Sequence, residues 1–150
     1  MMIPASDVHS VAHAIQLAVA PVFLLTGIGA MLSVMTNRLG RVIDRARVLE
    51  QKLEASQGND ADALRAHLKT LAFRAKLIGR AINLCTTTAL LVCTVIALLF
   101  VGAFLGVDPS IPVALLFIAA MVALVAGLLW FLREIFVATS SLHIGPDNRA

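Results

Sequence analysis

Three groups of residues in this chain have side chains able to bind or react. His9 and His13 stand four residues apart, with Asp7 nearby, so one helix face would carry both imidazoles. That spacing can hold Zn²⁺ or another borderline metal. Two ligands are too few to close a site, so neighbouring copies would have to complete it. An exposed pair at a membrane surface is the plainer reading.

The second group is hydroxyl-rich. Asn83, Thr87 and Thr94, at steps of four and seven, fall on one helix face, with Thr26 and Ser33 earlier in the chain. Two uses are open to them. They can make hydrogen bonds between closely packed helices, or they can line a water-filled path formed when several copies associate.

The third group is basic. Between positions 36 and 80, ten Lys and Arg residues stand against five Asp and Glu, while the whole chain carries only +3. Arg38, Arg41, Arg45, Lys52 and Arg74 mark this excess. It can serve as an anchor that stays in water on one side of a membrane. Alternatively it is a docking strip for anionic headgroups or an acidic partner. Nucleic acid fits less well, because base stacking needs interleaved aromatics and Phe73 is the single aromatic in this stretch.

No grouping of Ser, His and Asp or of Cys and His suits nucleophilic catalysis, and no Gly-rich loop suits a phosphate. The chain is therefore expected not to be an enzyme and to need no cofactor. Cys85 and Cys93 are eight residues apart, roughly 12 Å along a helix, too far to bridge each other.

The elements that must position these groups follow from apolar periodicity. Met35, Leu39, Val42, Ala46, Leu49 and Leu53 recur at alternating steps of four and three. After the polar break Ser56-Gln57-Gly58-Asn59-Asp60, the residues Leu64, Leu68, Leu71, Ala75, Ile78 and Ile82 repeat those steps in mirror order. Matched seams reflected about a tight turn predict an antiparallel coiled-coil hairpin. Along one edge Arg45 would meet Arg74 and Lys52 would meet His67, a like-charged edge. Along the other Glu50 would meet Arg65, and Ile43 would meet Ala72. An apolar seam spreading onto this second edge calls for a third helix, either the extension after Arg133 or another copy.

Composition supplies the surroundings of the hairpin. The chain is 59% hydrophobic and 14% charged, with a mean hydropathy of +0.91. Soluble domains hold about 45–50% apolar residues. Val11 to Met35 forms a first span, in which Pro21 either kinks the helix or marks where an interfacial lead-in becomes the span. Ile82 to Leu105 gives 24 residues without a charge and Ile111 to Leu132 gives 22, each enough for the ~20 a bilayer needs. Gly106-Val107-Asp108-Pro109-Ser110 reads as the turn between them. Small residues at Gly27, Gly29, Ala30 and Ser33 are expected to meet the hydroxyl-rich start of the second span. Ala119, Ala123 and Gly127 offer a further close-packing face.

Four parts result: residues 1–35 with the first span, 36–81 as the hairpin, 82–132 with the second and third spans, and 133–150 as a helical extension and tail. Basic residues favour the cytoplasmic side. This places the N-terminus outside and the hairpin and C-terminus inside. The fold class is an all-α membrane protein with three transmembrane helices and a cytoplasmic hairpin between the first and second.

The run Thr36-Asn37-Arg38-Leu39-Gly40-Arg41-Val42-Ile43-Asp44-Arg45-Ala46-Arg47, with the preceding Phe23-Leu24-Leu25-Thr26-Gly27, resembles a family of small bacterial membrane proteins. They are catalogued as domain of unknown function 2721. The likeness continues through Arg80-Ala81-Ile82 to the closing Phe131-Leu132-Arg133-Glu134. It implies three spans and brings no activity with it. It draws attention to Asn37, Arg38, Arg41, Asp44 and Arg45, where Arg41 and Asp44 could pair at i, i+3.

Two functions remain in view. One is a self-associating, channel-like pore with a hydroxyl-lined path and a basic vestibule. The other is a membrane-anchored scaffold whose basic hairpin docks a partner or anionic lipid headgroups. The expected companions are membrane lipids and further copies of the chain, with any protein partner unspecified.

Overall fold

The computed structural model describes the backbone of residues 5–56 and 58–140, and the side chains of 12–56, 58 and 60–139. The described chain is three helices: α1 (Ala5–Glu54), α2 (Asn59–Leu105) and α3 (Ser110–Ser140). All three are long and apolar enough to cross a membrane. The 50 residues of α1 extend roughly 75 Å, far beyond the ~30 Å of a hydrocarbon core. More than half of α1 and a matching part of α2 must therefore project from it.

Local chemistry explains the ends. After Glu54 the amides of Ala55 and Ser56 donate to the carbonyls of Lys52 and Leu53, each at 3.2 Å. Gly58 then adopts φ 73°, which lets the chain reverse at no Cβ cost. At the far end Gly106 takes φ 64°, and the Val107 amide donates back to the Gly102 carbonyl at 3.2 Å, satisfying an acceptor that the helix end would leave open. Asp108 Oδ1 accepts the Ser110 amide at 3.0 Å and so caps α3.

Pro21 lies inside α1 and the helix carries through it, so it does not mark where a helix begins. Lacking an N–H, it leaves the Leu17 carbonyl without its helical donor.

Buried positions recur every seven residues along each helix. In α1 they are Ala14, Pro21, Ile28, Met35 and Val42. α2 carries two rows, Leu71–Ile78–Cys85–Val92 and Ala81–Thr88–Val95–Gly102, and α3 carries Ala120–Gly127–Glu134. A seven-residue repeat keeps one face turned toward a neighbour when helices wrap slightly around each other. With two rows, α2 packs along both other helices, while α1 and α3 approach each other only sparingly. The central cluster joins Ile28, Met35 and Val42 to Leu71, Ile78, Ala81 and Cys85, with Leu39, Ala46, Leu49, Ala75 and Ile82 packed against it. The mirrored seam thus lies within this cluster from Met35 to Leu49 and from Leu71 to Ile82, and runs from there into the apolar half.

One packing expectation fails. Gly27, Gly29, Ala30 and Ser33 are exposed, and a Cβ built at Gly27 or Gly29 would meet nothing within 4 Å. The seven-residue row of larger residues through Ile28 and Met35 takes the contact with α2 instead. Close approach occurs at α3, where a Cβ on Gly127 would lie 3.2 Å from Cys85 Sγ and from Leu84 Cβ. Ala119 faces outward.

The outward surface is apolar over long stretches: Phe104 is 80%, Ile111 72% and Leu90 65% exposed. Patches of this kind mark contact with lipid or another protein rather than with water.

Candidate functional site

Where the uncharged stretches end, one carboxylate ties the three helices together. Glu134 of α3 is fully buried. Its Oε1 accepts hydrogen bonds from Arg74 of α2, at 3.2 Å from Nε and 2.9 Å from Nη2. Its Oε2 lies 3.2 Å from Nη2 of Arg38 on α1, close enough for an ion pair but without hydrogen-bond alignment. Arg38 also stands over the Phe131 ring, 5.4 Å from its centroid. Beside it Arg80 and Arg133 flank Trp130, at 4.9 and 5.6 Å. Such cation–π contacts contribute roughly 0.5–2 kcal/mol each, more where water is excluded.

Of the like-charged edge expected from the hairpin register, Arg45 and Arg74 share one cleft, and Glu134 answers Arg74. Arg38, Arg41, Arg45 and Arg74 line one cleft of about 430 Å³ with Val34, Val42 and Leu71. Glu134 engages Arg38 and Arg74. Arg41 and Arg45 form no ion pair among the described residues. The expected Arg41–Asp44 pair is absent, and Arg41 lines the cleft instead. The expected Glu50–Arg65 pair is also absent, because Arg65 bonds Asp62 on its own helix at 2.8 Å. Exposed pairs of this kind contribute little, so the shorter local contact prevails. Lys52 is exposed in the last turn of α1.

The α3 extension therefore packs on the arginine edge. The opposite edge, with Ile43, Ala46, Leu68 and Ala72, keeps an open groove of about 450 Å³. Of the two sources expected for a third helix there, the extension after Arg133 does not supply it: its Phe136 is exposed, and Leu142 lies outside the described residues.

Asn83, Thr87 and Thr94 lie on one exposed face of α2. Thr87 and Thr94 donate to the carbonyls of Asn83 and Leu90, each at 2.9 Å, and Thr26 donates to Val22 at 3.4 Å. These hydroxyls are satisfied by their own helices and need no outside acceptor. Thr88 is instead fully buried and donates to Leu84. The side chain of His9 lies outside the described residues, and His13 is exposed at the end remote from the hairpin. Among the described residues no group of three His, Cys, Asp or Glu could hold a metal ion.

Glu134 is the residue that sequence reading passed over. Two signals could have found it: it is the one acidic residue of α3, and it continues the row Ala120–Gly127 at seven.

Together these features define a three-helix protein of membrane-spanning composition, clasped by one buried acid between two arginines. Residues 18–144 match the family model described as Protein of unknown function (DUF2721), and the chain belongs to that family. No curated protein and no solved structure matches it.

Proposed function

We propose that this protein is a non-catalytic membrane scaffold whose basic stalk binds the phosphate-bearing heads of anionic lipids. In this reading the hairpin is a cytoplasmic coiled coil, the C-terminus is also inside, and the N-terminus lies outside a bacterial inner membrane. One observation carries the proposal: four arginines line a single cleft beside the span ends, and one buried carboxylate, Glu134, pairs with only two of them. Arg38 is the first charge after the uncharged stretch of α1, and Arg45 lies roughly 10 Å further along the helix. That is headgroup depth. Arg forks match phosphate oxygens two at a time, and each basic residue near an anionic surface adds about 1 kcal/mol of attraction.

Native mass spectrometry of the detergent-solubilised chain tests this. Phosphatidylglycerol should be retained over phosphatidylcholine, and Arg41→Gln with Arg45→Gln should abolish that preference. Equal retention of the two lipids, or an unchanged preference in the double variant, rejects the assignment.

A second reading, a pore formed by several copies, rests on the polar face of Asn83, Thr87 and Thr94 turned away from α1 and α3. Liposomes holding the protein should then pass ions, and Thr87→Leu or Thr94→Leu should alter the flux. A complex whose mass is that of one chain would end this reading, since three such helices enclose no path.

A further inference from the structure

A second cleft lies at the end opposite the arginines. It is a groove of about 760 Å³ between the first part of α1, the end of α2 and the start of α3. It exists because α1 and α3 do not pack against each other there, and small residues such as Ala103 and Ala114 leave the space unfilled. Its walls are apolar, from Leu17 and Pro21 across to Phe117, and its polar side chains are His13, Asp108 and Ser110. An apolar groove of this size with a few converging polar groups suits a single ligand. From His13 to Arg38 the helix rises roughly 38 Å, close to the ~40–45 Å of a bilayer with its headgroups. The polar end of the groove thus sits at the opposite membrane surface.

The ligand's head follows from what the groove supplies. Asp108 spends one oxygen on the Ser110 amide and keeps the other free of ion pairs among the described residues. Leu17, whose carbonyl Pro21 leaves without a helical donor, also lines the groove. No Lys or Arg occurs in residues 1–37 or 81–132, so beyond the His13 imidazole an anionic head would find no cationic side chain. Acceptors in excess and one free carboxylate oxygen call for a positive donor. We infer that the groove binds an amphiphile, an acyl-chain lipid whose head carries a primary ammonium donating to Asp108.

The test uses the full chain in detergent with phosphatidylethanolamine, and with phosphatidylcholine, whose methylated nitrogen has no N–H. A charge-assisted hydrogen bond contributes about 1.5–3 kcal/mol, so ethanolamine lipid should be retained at least about tenfold over choline lipid. Asp108→Asn should erase that preference. Asn caps a helix as well as Asp does, so α3 keeps its start. Ala114→Phe, at an exposed position on the groove wall, should lower retention of both lipids without changing the melting temperature. Equal retention of the two lipids by the native chain overturns the inference, as does an ethanolamine preference that survives Asp108→Asn. Retention of phosphatidylglycerol reads the arginine cleft and should be unmoved by either change, so the two assignments stand or fall separately.

Discussion

Arg74 and Glu134, 60 residues apart in the chain, meet through two hydrogen bonds to one carboxylate oxygen. Arg38 approaches the other oxygen from α1, so a single side chain spans all three helices. A buried acid with two basic neighbours is costly to leave half made. Removing one partner of such a pair costs about 3–5 kcal/mol.

Glu134→Gln should therefore lower the unfolding free energy by about 3 kcal/mol, read by denaturant titration in mixed micelles. Combining it with Arg74→Met should destabilise by clearly less than the two single changes added together, because the residues share one contact. Strict additivity would mean that the clasp contributes nothing as a unit.

Two glycines on different faces should respond in opposite ways. A Cβ at Gly127 would press on Cys85 and Leu84 at 3.2 Å. Gly127→Leu should thus push α3 from α2, with a loss of about 1–3 kcal/mol. Gly29 faces open space, and Gly29→Ala should be neutral or stabilising by up to about 1 kcal/mol. Thermal melts of the two variants in one detergent make the comparison.

The turn between α2 and α3 has almost no slack. A Cβ at Gly102 would stand 2.6 Å and 2.8 Å from two ring carbons of Pro109. Gly102→Ala must displace that ring or the helix end, and should lower the melting temperature. A combined Gly102→Ala and Pro109→Ala chain should recover part of the loss, and no recovery would place the strain elsewhere.

Arg41 and Arg45 are exposed and make no ion pair among the described residues. Replacing both with Gln should change stability by less than about 0.5 kcal/mol per site. A melting curve that superimposes on the native one would show that any loss of lipid retention in this variant is not a loss of fold.

Some of this architecture was legible before any coordinates. Leucine-rich steps mirrored about Gly58 depend on neighbours three and four residues away, so Leu39, Leu49, Ile78 and Ile82 could be assigned to one seam from spacing alone. The turns at Gly58 and Gly106 were visible for a similar reason, since few residues other than glycine accept a positive φ. The small residues misled, because Ala119, Ala123 and Gly127 at steps of four suggested a face, whereas the buried row steps by seven through Ala120 and Gly127. A single helix tolerates either stripe, and only its neighbour selects one.

By itself, then, the sequence determined the three apolar spans, the reversal at Gly58 and the basic character of one end. Only the tertiary structure decided that Glu134 enters between Arg38 and Arg74, that Arg41 and Arg45 make no ion pair among the described residues, and that a groove opens beside Asp108. Periodicity is a property of one helix and is written along it. A clasp or a cleft depends on how far apart three helices lie and how each is rotated, and that emerges only when they pack.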